Sequence, residues 1–544
     1  MNPAAFRTKI AANLLAAAIL FFLAAPLGAQ SDKPAPFKDI PGYVTWMKTH
    51  HKAPFNLIGA NVPAGSSKAL FETRAKANSL NARTAANSQR FYQNIQVNQD
   101  RNPWPKAGIS SAVNPADPRD WVVITNDFRV NNTRLFYHVS TDHGRTFTDD
   151  LLVGGADPFS GGAPLSFQVN PSVSFDNSGN SSFSVLSGNE IIDVNNNYFN
   201  LDNEIDEVQG FADGTYSNVF PTLIDAQQCS GGLFSGPFAC PGNVSQPLNT
   251  TDSNSASPNV GTTYVYYTFF CNLDPGTCTD GTATIPSFGS VILESHSPNS
   301  ETPFSAPALV SGSLINAQFS TMVIDAAGTP HIFFDDFTNA PLITMWESTL
   351  IGGVWTVSST PVATFTYNGL GNVNWAFTDS GAVQPGCGIH QYTAYCAFSA
   401  VQIAGGSLES SPSVYLAAVN VNTGASRIAR VNNDVFNAGK HHFFAWATTT
   451  PGGAVYVGWY DDRHDPLDTN VEYFVGKSFD GGRTFPIQKA VNDVPFNPCN
   501  GFQGCGYFGD YTQLASGPEG LVHAAWADTR DGVSMQIWSQ TVLF

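Results

Sequence analysis

The sequence predicts an all-β protein, a β-propeller of four-stranded antiparallel blades preceded by a short irregular leader. Three observations carry this. The octapeptide pattern Ser-x-Asp-x-Gly-x-Thr-Phe occurs at Ser140–Phe147 and again at Ser478–Phe485. A self-similar unit of roughly 50 residues recurs along most of the chain, the signature of a repeat architecture. Charged residues make up only 12% of the 544, against roughly 25% in an average globular protein, and Gly, Ser, Thr, Asn and Phe replace them. That mixture favours short strands and tight turns.

Taken in chain order, residues 1–29 read as a signal peptide. Arg7 and Lys9 form a positive start, Ile10 to Ala25 an apolar stretch, and Leu27 and Ala29 the small-residue cleavage site. The apolar run is short for a membrane anchor, which needs about 20 residues. Secreted or periplasmic localisation is therefore expected, with no membrane association after cleavage. Residues 30–90 do not match the repeat and are expected to be a poorly structured leader or linker. The propeller is expected over 91–544.

The clearest repeat runs from about Lys440 to Asp493, with strands at His442 to Thr448, Ala454 to Tyr460, Val471 to Lys477 and a fourth ending near Val491. Further copies fall near 109–155, 168–225, 258–311, 318–366, 373–433 and 511–544. The last lacks a fourth strand, and Phe91 to Asn98 is expected to supply it and close the ring. This gives about seven blades, or six if 190–260 is an insertion.

Within each turn the Asp accepts backbone N–H groups, the Gly (Gly144, Gly482) allows φ > 0, and the Phe (Phe147, Phe485) starts a buried strand. Asp142 and Asp480 are thus structural. These turns, with Gly458-Trp459-Tyr460-Asp461-Asp462-Arg463, Gly509-Asp510-Tyr511 and Trp526-Ala527-Asp528-Thr529-Arg530, resemble the Asp-box (bacterial neuraminidase repeat) propellers of the sialidase-like superfamily. The resemblance covers most of 91–544. It implies an active site on the face opposite the Asp-box turns, and an exo-glycosidase acting on terminal sugars, sialic acid or similar, of extracellular glycans. It also admits a non-catalytic glycan- or protein-binding propeller. The Phe/Tyr-Arg-Ile-Pro signature of sialidases is absent; Arg427-Ile428-Ala429 lacks the proline and lies far too late.

On the expected site face, B strands end in Asn126-Asp127-Phe128-Arg129, Phe334-Asp335-Asp336, Tyr460-Asp461-Asp462-Arg463 and Asp528-Thr529-Arg530. A glycosidase needs one carboxyl to protonate the leaving oxygen, a second group to attack or activate water, and donors to hold the sugar. The catalytic candidates are Asp461, Asp462, Asp528, Asp510 and Tyr511, with Tyr460 as a second tyrosine. The substrate-binding candidates are Arg129, Arg463, Arg530, Asp127 and Asp335, the arginines forming a substitute carboxylate clamp. The competing reading makes each Asp–Arg pair an ion pair that locks blades together.

Eight cysteines form four close pairs: Cys229 with Cys240, Cys271 with Cys278, Cys387 with Cys396, and Cys499 with Cys505. All four are expected to be disulfides rather than zinc knuckles, because none has two-residue spacing. No cofactor is expected. The acidic stretch Asp202 to Asp213 lacks EF-hand spacing and reads as a solvated loop rather than a calcium site, and His441-His442 lacks a third zinc ligand. A formal charge of −18 argues against nucleic acid or an anionic membrane as a partner. The expected partner is an extracellular glycan or glycoprotein, and the expected state a monomer.

Overall fold

The computed structural model describes residues 94–100, 104–129, 133–152, 167–193, 198–210, 222–231, 242–271, 277–280, 283–286, 289–298, 303–372, 374, 375, 377, 379–500, 505 and 507–544. The expected signal peptide and leader lie outside them. The described strands form seven antiparallel sheets of propeller blades. Writing strands A to D from the axis outward, blade 1 is Lys106–Val113, Trp121–Asp127, Arg134–Ser140 and Thr148–Leu151. Blade 2 is Phe167–Phe175, Ser181–Asp193, Tyr198–Gly210 and Thr222–Gly231. Blade 3 is Asn243–Thr251, Thr263–Phe270, Ser290–Ser297 and Ala308–Leu309. Blade 4 is Ala317–Ile324, Pro330–Asp336, Leu342–Ile351 and Ala363–Thr366. Blade 5 is Gly386–His390, Thr393–Ala400, Ser413–Asn420 and Ala425–Arg430. Blade 6 is His442–Thr449, Val455–Asp461, Glu472–Ser478 and Ile487–Ala490.

Blade 7 takes Gln513–Ser516, Val522–Asp528 and Gln536–Val542 from the C-terminus. Its outer strand is Ile95–Gln96, paired antiparallel with Ser539 and Trp538. The ring therefore closes through the chain's early segment, as expected. The six-blade alternative fails, because 190–260 holds the outer half of blade 2 and the inner strand of blade 3. The third repeat starts near 243 rather than 258. Pro247 disguises that inner strand, since proline normally argues against a sheet interior.

A feature with no sequence signature recurs beside the axis. The A strands of blades 1, 2, 3, 4 and 6 each shift register by one residue, with Gly108, Asn170, Gln246, Phe319 and Phe444 at φ between 53° and 60°. Four of these are not glycine, so each of those four bulges holds backbone strain on the order of 1 kcal/mol or more. Beside the bulges, A strands bond to the A or B strand of the neighbouring blade. Asn170 N–H donates to Asn126 Oδ1 (3.0 Å), Val173 N–H to Ser110 Oγ (3.1 Å), Asn249 N–H to Ser172 Oγ (3.1 Å) and Met322 N–H to Tyr266 OH (3.0 Å). Ser110 Oγ donates in turn to Gln513 Oε1 (2.8 Å), joining blade 1 to blade 7.

The two octapeptide turns behave alike. Asp142 Oδ1 accepts from Arg145 and Thr146 N–H, and Asp480 Oδ1 from Arg483 and Thr484 N–H, at 2.9–3.0 Å. Gly144 and Gly482 sit at φ 80° and 77°. Phe147 and Phe485 are buried.

The acidic stretch in blade 2 corrects an expectation. Glu204, Asp206 and Glu207 lie on a C strand and are buried, not solvated. Burial pushes Asp206 up to about 6, against hydrogen bonds from Glu204 and Ser187, and Glu207 up to about 7, against one from Ser182. Burial thus biases Asp206 and Glu207 toward the protonated form.

Candidate functional site

A meander places A–B and C–D turns on one face and B–C and D–A connections on the other. The octapeptide turns are C–D turns, so the B-strand ends face the opposite side. Among the described residues that side carries two long connections, one from Thr366 to Gly386 between blades 4 and 5, the other from Ala490 to Gln513 between blades 6 and 7. They meet where Phe377 packs on Phe508, and the first also crosses the B–C connection of blade 6. Asn372 and Asn374 Nδ2 donate to the Asp468 and Leu467 carbonyls (2.9 and 3.0 Å), and Trp375 Nε1 to that of Thr469 (3.3 Å). Phe377, Phe508, Tyr460 and Phe443 pack beneath, with centroids 4.9–5.7 Å apart for Phe377–Phe508, Phe443–Tyr460, Tyr460–Phe508 and Phe377–Phe443. The axis is capped there by aromatic rings.

At the join, a Cβ on Gly381 would fall 1.8 Å from the Asp510 carbonyl oxygen, so only glycine lets the connections touch. Each connection brings one acid with a tyrosine on it. Tyr507 OH donates to Asp510 Oδ2 (3.1 Å), and Tyr367 OH to Asp379 Oδ2 (3.0 Å). Both acids are half-buried. Burial pushes Asp510 up to about 6 against the opposing Tyr507 hydrogen bond. Burial likewise raises Asp379, held back by the Leu370 N–H and the Tyr367 hydroxyl. Two carboxyls biased toward the acid form, on connections in backbone contact, are suited to general acid–base work.

Tyr511 stands apart from this pair: it is buried and its hydroxyl donates to the Pro171 carbonyl in blade 2 (3.2 Å). Tyr460 is buried too, donating to the Ala527 carbonyl (3.0 Å) and accepting its N–H (2.9 Å), a bridge from blade 6 to blade 7.

The arginines are placed elsewhere. Arg129 grips Asp127 through Nε (2.7 Å) and Nη2 (2.5 Å) and lies 4.0 Å over the Phe136 ring. Arg463 grips Asp461 at 2.8 and 2.6 Å over Phe474, and Arg530 grips Asp528 at 3.0 and 2.5 Å over Trp538. Each stacks on a C-strand ring of its own blade, well outside the A strands. Their remaining bonds tie blades together: Arg463 reaches Asn433 (2.8 Å), and Arg530 reaches Asp493 and Asn94. The three share no partner and do not converge on one pocket.

Their acids are equally committed. Asp461 and Asp528 also accept from Trp459 and Trp526 Nε1 (2.7 and 3.0 Å), and buried Asp462 takes the backbone N–H and Nδ1 of His441 (2.7 and 2.6 Å). Asp335 is fully buried in blade 4, and neither carboxylate oxygen has a hydrogen-bond partner. Among the described residues no group of three His, Cys, Asp or Glu is arranged to hold a metal ion.

Of the four expected disulfides, three close among the described residues: Cys271–Cys278, Cys387–Cys396 and Cys499–Cys505, the last on the connection that carries Asp510. The fourth, between Cys229 and Cys240, is not among them. Cys240 lies outside the described residues, and Cys229 is described only as backbone of the outer strand of blade 2. Sequence reasoning singled out Asp510 but missed Tyr507, Asp379 and Tyr367. The available signal was length: connections of this size in a compact repeat are uncommon and usually functional.

The chain is a seven-bladed propeller closed by its early segment, with two acid-bearing connections capping one face. No protein-family model matches it, and no curated protein sequence does. Solved structures similar to it include a Hadza microbial sialidase (TM-score 0.38, 10% identity, 79% of this chain and 75% of that one). The NanB sialidase of Streptococcus pneumoniae gives TM-score 0.37 and 10% identity over 85% and 72%. An α-L-arabinofuranosidase of Fusarium graminearum gives 0.37 and 10% over 83% and 98%. At such scores the likeness is loose.

Proposed function

We propose that this chain is an exported, glycan-active propeller that hydrolyses terminal sugars of extracellular glycans at the capped face. The observation that carries the reading is the half-buried Tyr507–Asp510 pair beside Tyr367–Asp379. Protonated Asp510 gives its proton to the glycosidic oxygen as the C–O bond breaks. Asp379, ionised, takes a proton from the water that attacks the anomeric carbon. Arg129, Arg463 and Arg530 are engaged in their own blades, so the sugar is not held by a carboxylate clamp built from them. That engagement also favours a second reading, a propeller that binds glycan without cleaving it.

Purified protein assayed on a panel of fluorogenic glycosides, sialosides included, separates the two. Hydrolysis should fall as pH rises through about 6, where Asp510 loses its proton. Asp510→Asn should lower kcat by about 100-fold or more, a typical loss for a general acid. No turnover on any glycoside would leave the binding reading standing.

A further inference from the structure

The opposite end of the axis holds a cavity of about 520 Å³ at the A–B turns, to which all seven blades contribute. Its size is ordinary for a small-molecule site. Its chemistry is not ordinary for this chain. The protein carries a formal charge of −18, yet the cavity wall contains no Asp, Glu, Lys or Arg. Three nearby turn acids bond within their own loops: Asp176 accepts the Ser178 and Asn180 N–H groups (both 2.8 Å), Asp325 those of Ala327 and Thr329 (2.8 and 2.9 Å), and Asp252 Oδ1 that of Asn254 (3.0 Å). Threonine, serine and side-chain amides make up most of the polar wall, with His390 as its one imidazole and Phe175, Tyr266 and Trp446 as its large rings. Four polar atoms of the lining residues, Ser111 Oγ, Asn249 Oδ1, Thr321 Oγ1 and Ser516 Oγ, are buried behind the surface without a hydrogen-bond partner.

We infer that this cavity is a second binding site, and that its ligand is an uncharged, hydroxyl-rich molecule, a neutral mono- or disaccharide. Hydroxyls and amides both donate and accept, matching sugar hydroxyls on either sense of hydrogen bond. An anionic sugar finds no lysine or arginine in the wall, only the His390 imidazole at its rim, and is repelled by the acidic chain. The site lies across the propeller from Asp510, so it does not depend on the hydrolytic reading.

The test is calorimetric titration of the intact protein with D-glucose, D-galactose, lactose and N-acetylneuraminic acid as separate probes, at low and high salt. The expected result is saturable binding of at least one neutral probe, insensitive to salt, with none for the anionic sugar. Thr448→Trp and Ser174→Leu, each filling the cavity from a different blade, should weaken it at least 10-fold; Asp510→Asn should leave it unchanged. Circular dichroism and thermal melting check that each variant folds, and either one suffices. Absence of saturable binding by all neutral probes, binding that survives a folded cavity-filling variant, or preference for the anionic sugar would overturn the inference. Loss of hydrolysis by Asp510→Asn with binding intact separates this site's fate from that of the capped face.

Discussion

Blades 6 and 4 both end their B strands in an Asp-Asp doublet, Asp461-Asp462 and Asp335-Asp336, yet the doublets are one residue out of register. At the bulge Phe443 pairs with Tyr460 in blade 6, and Gln318 pairs with Asp335 in blade 4. Asp336 is therefore the counterpart of Asp461, and Asp335 that of Tyr460. In a pleated strand a one-residue offset moves a side chain to the other face. Asp461 faces Arg463 and the Trp459 indole, whereas Asp335 sits buried where blade 6 has a tyrosine bridging to blade 7. Repeated carboxylates in sequence are thus not one repeated site. Their roles are set by the pleat.

The comparison breaks most severely at Arg463. Removing it leaves Asp461 buried with only the indole, a backbone N–H and His442 near its oxygens. Breaking a buried ion pair from one side costs about 3–5 kcal/mol, so Arg463→Ala should lower the urea midpoint by that equivalent. Arg129→Ala and Arg530→Ala should do the same. A loss under about 1 kcal/mol would mean that the lock is only a surface pair.

Asp335 should respond with the opposite sign. Burial, and next the charge on Asp336, raise its pKa well above the ordinary carboxylate value. A folded pKa above the unfolded one means the native state holds the proton more tightly. Its contribution is then fully present below about pH 4 and is lost as pH rises toward the folded pKa. Asp335→Leu should therefore stabilise at pH 7, by about 2 kcal/mol, with the gain shrinking toward pH 4. Melting curves across that range would show it, and a destabilised variant at pH 7 would indicate that Asp335 has a partner when the protein works.

The ring and its closure were legible because they rest on features that survive translation into sequence. Turn octapeptides, strand alternation and the missing outer strand of the last repeat pointed to Phe91 to Asn98, and Ile95–Gln96 does pair there. The engaged arginines were legible as one of two readings, since Asp and Arg two residues apart fit a clamp or a lock equally well. What was not legible depends on distance along the chain. The connections that carry Asp379 and Asp510 meet through a glycine-to-backbone contact, Gly381 on the Asp510 carbonyl, that no local pattern announces. The left-handed bulges at Gln246, Phe319 and Phe444 use residues that seldom adopt φ > 0, so composition argues against them.

The smallest effect lies at Thr338, the blade 4 counterpart of Arg463. Thr338 gives Asp336 Oδ1 a backbone N–H (3.2 Å) and its hydroxyl (2.7 Å). Thr338→Ala removes this neutral donor and the acceptor of Asn316 Nδ2 (3.2 Å), and should cost about 1 kcal/mol. The ring that an arginine would need is already present, because Trp346 pairs with Phe334 as Trp538 pairs with Trp526. Thr338→Arg should therefore reach both Asp336 and the Trp346 face and gain about 0.5–1 kcal/mol over Thr338→Ala, the worth of an exposed cation–π contact. The two variants differ only at this side chain, so their difference in unfolding free energy isolates the transplanted lock. If Thr338→Arg is no more stable than Thr338→Ala, strand register and a ring are insufficient, and the outer partners supplied in blade 6 by Asn433 and Gln488 are part of what makes that lock hold.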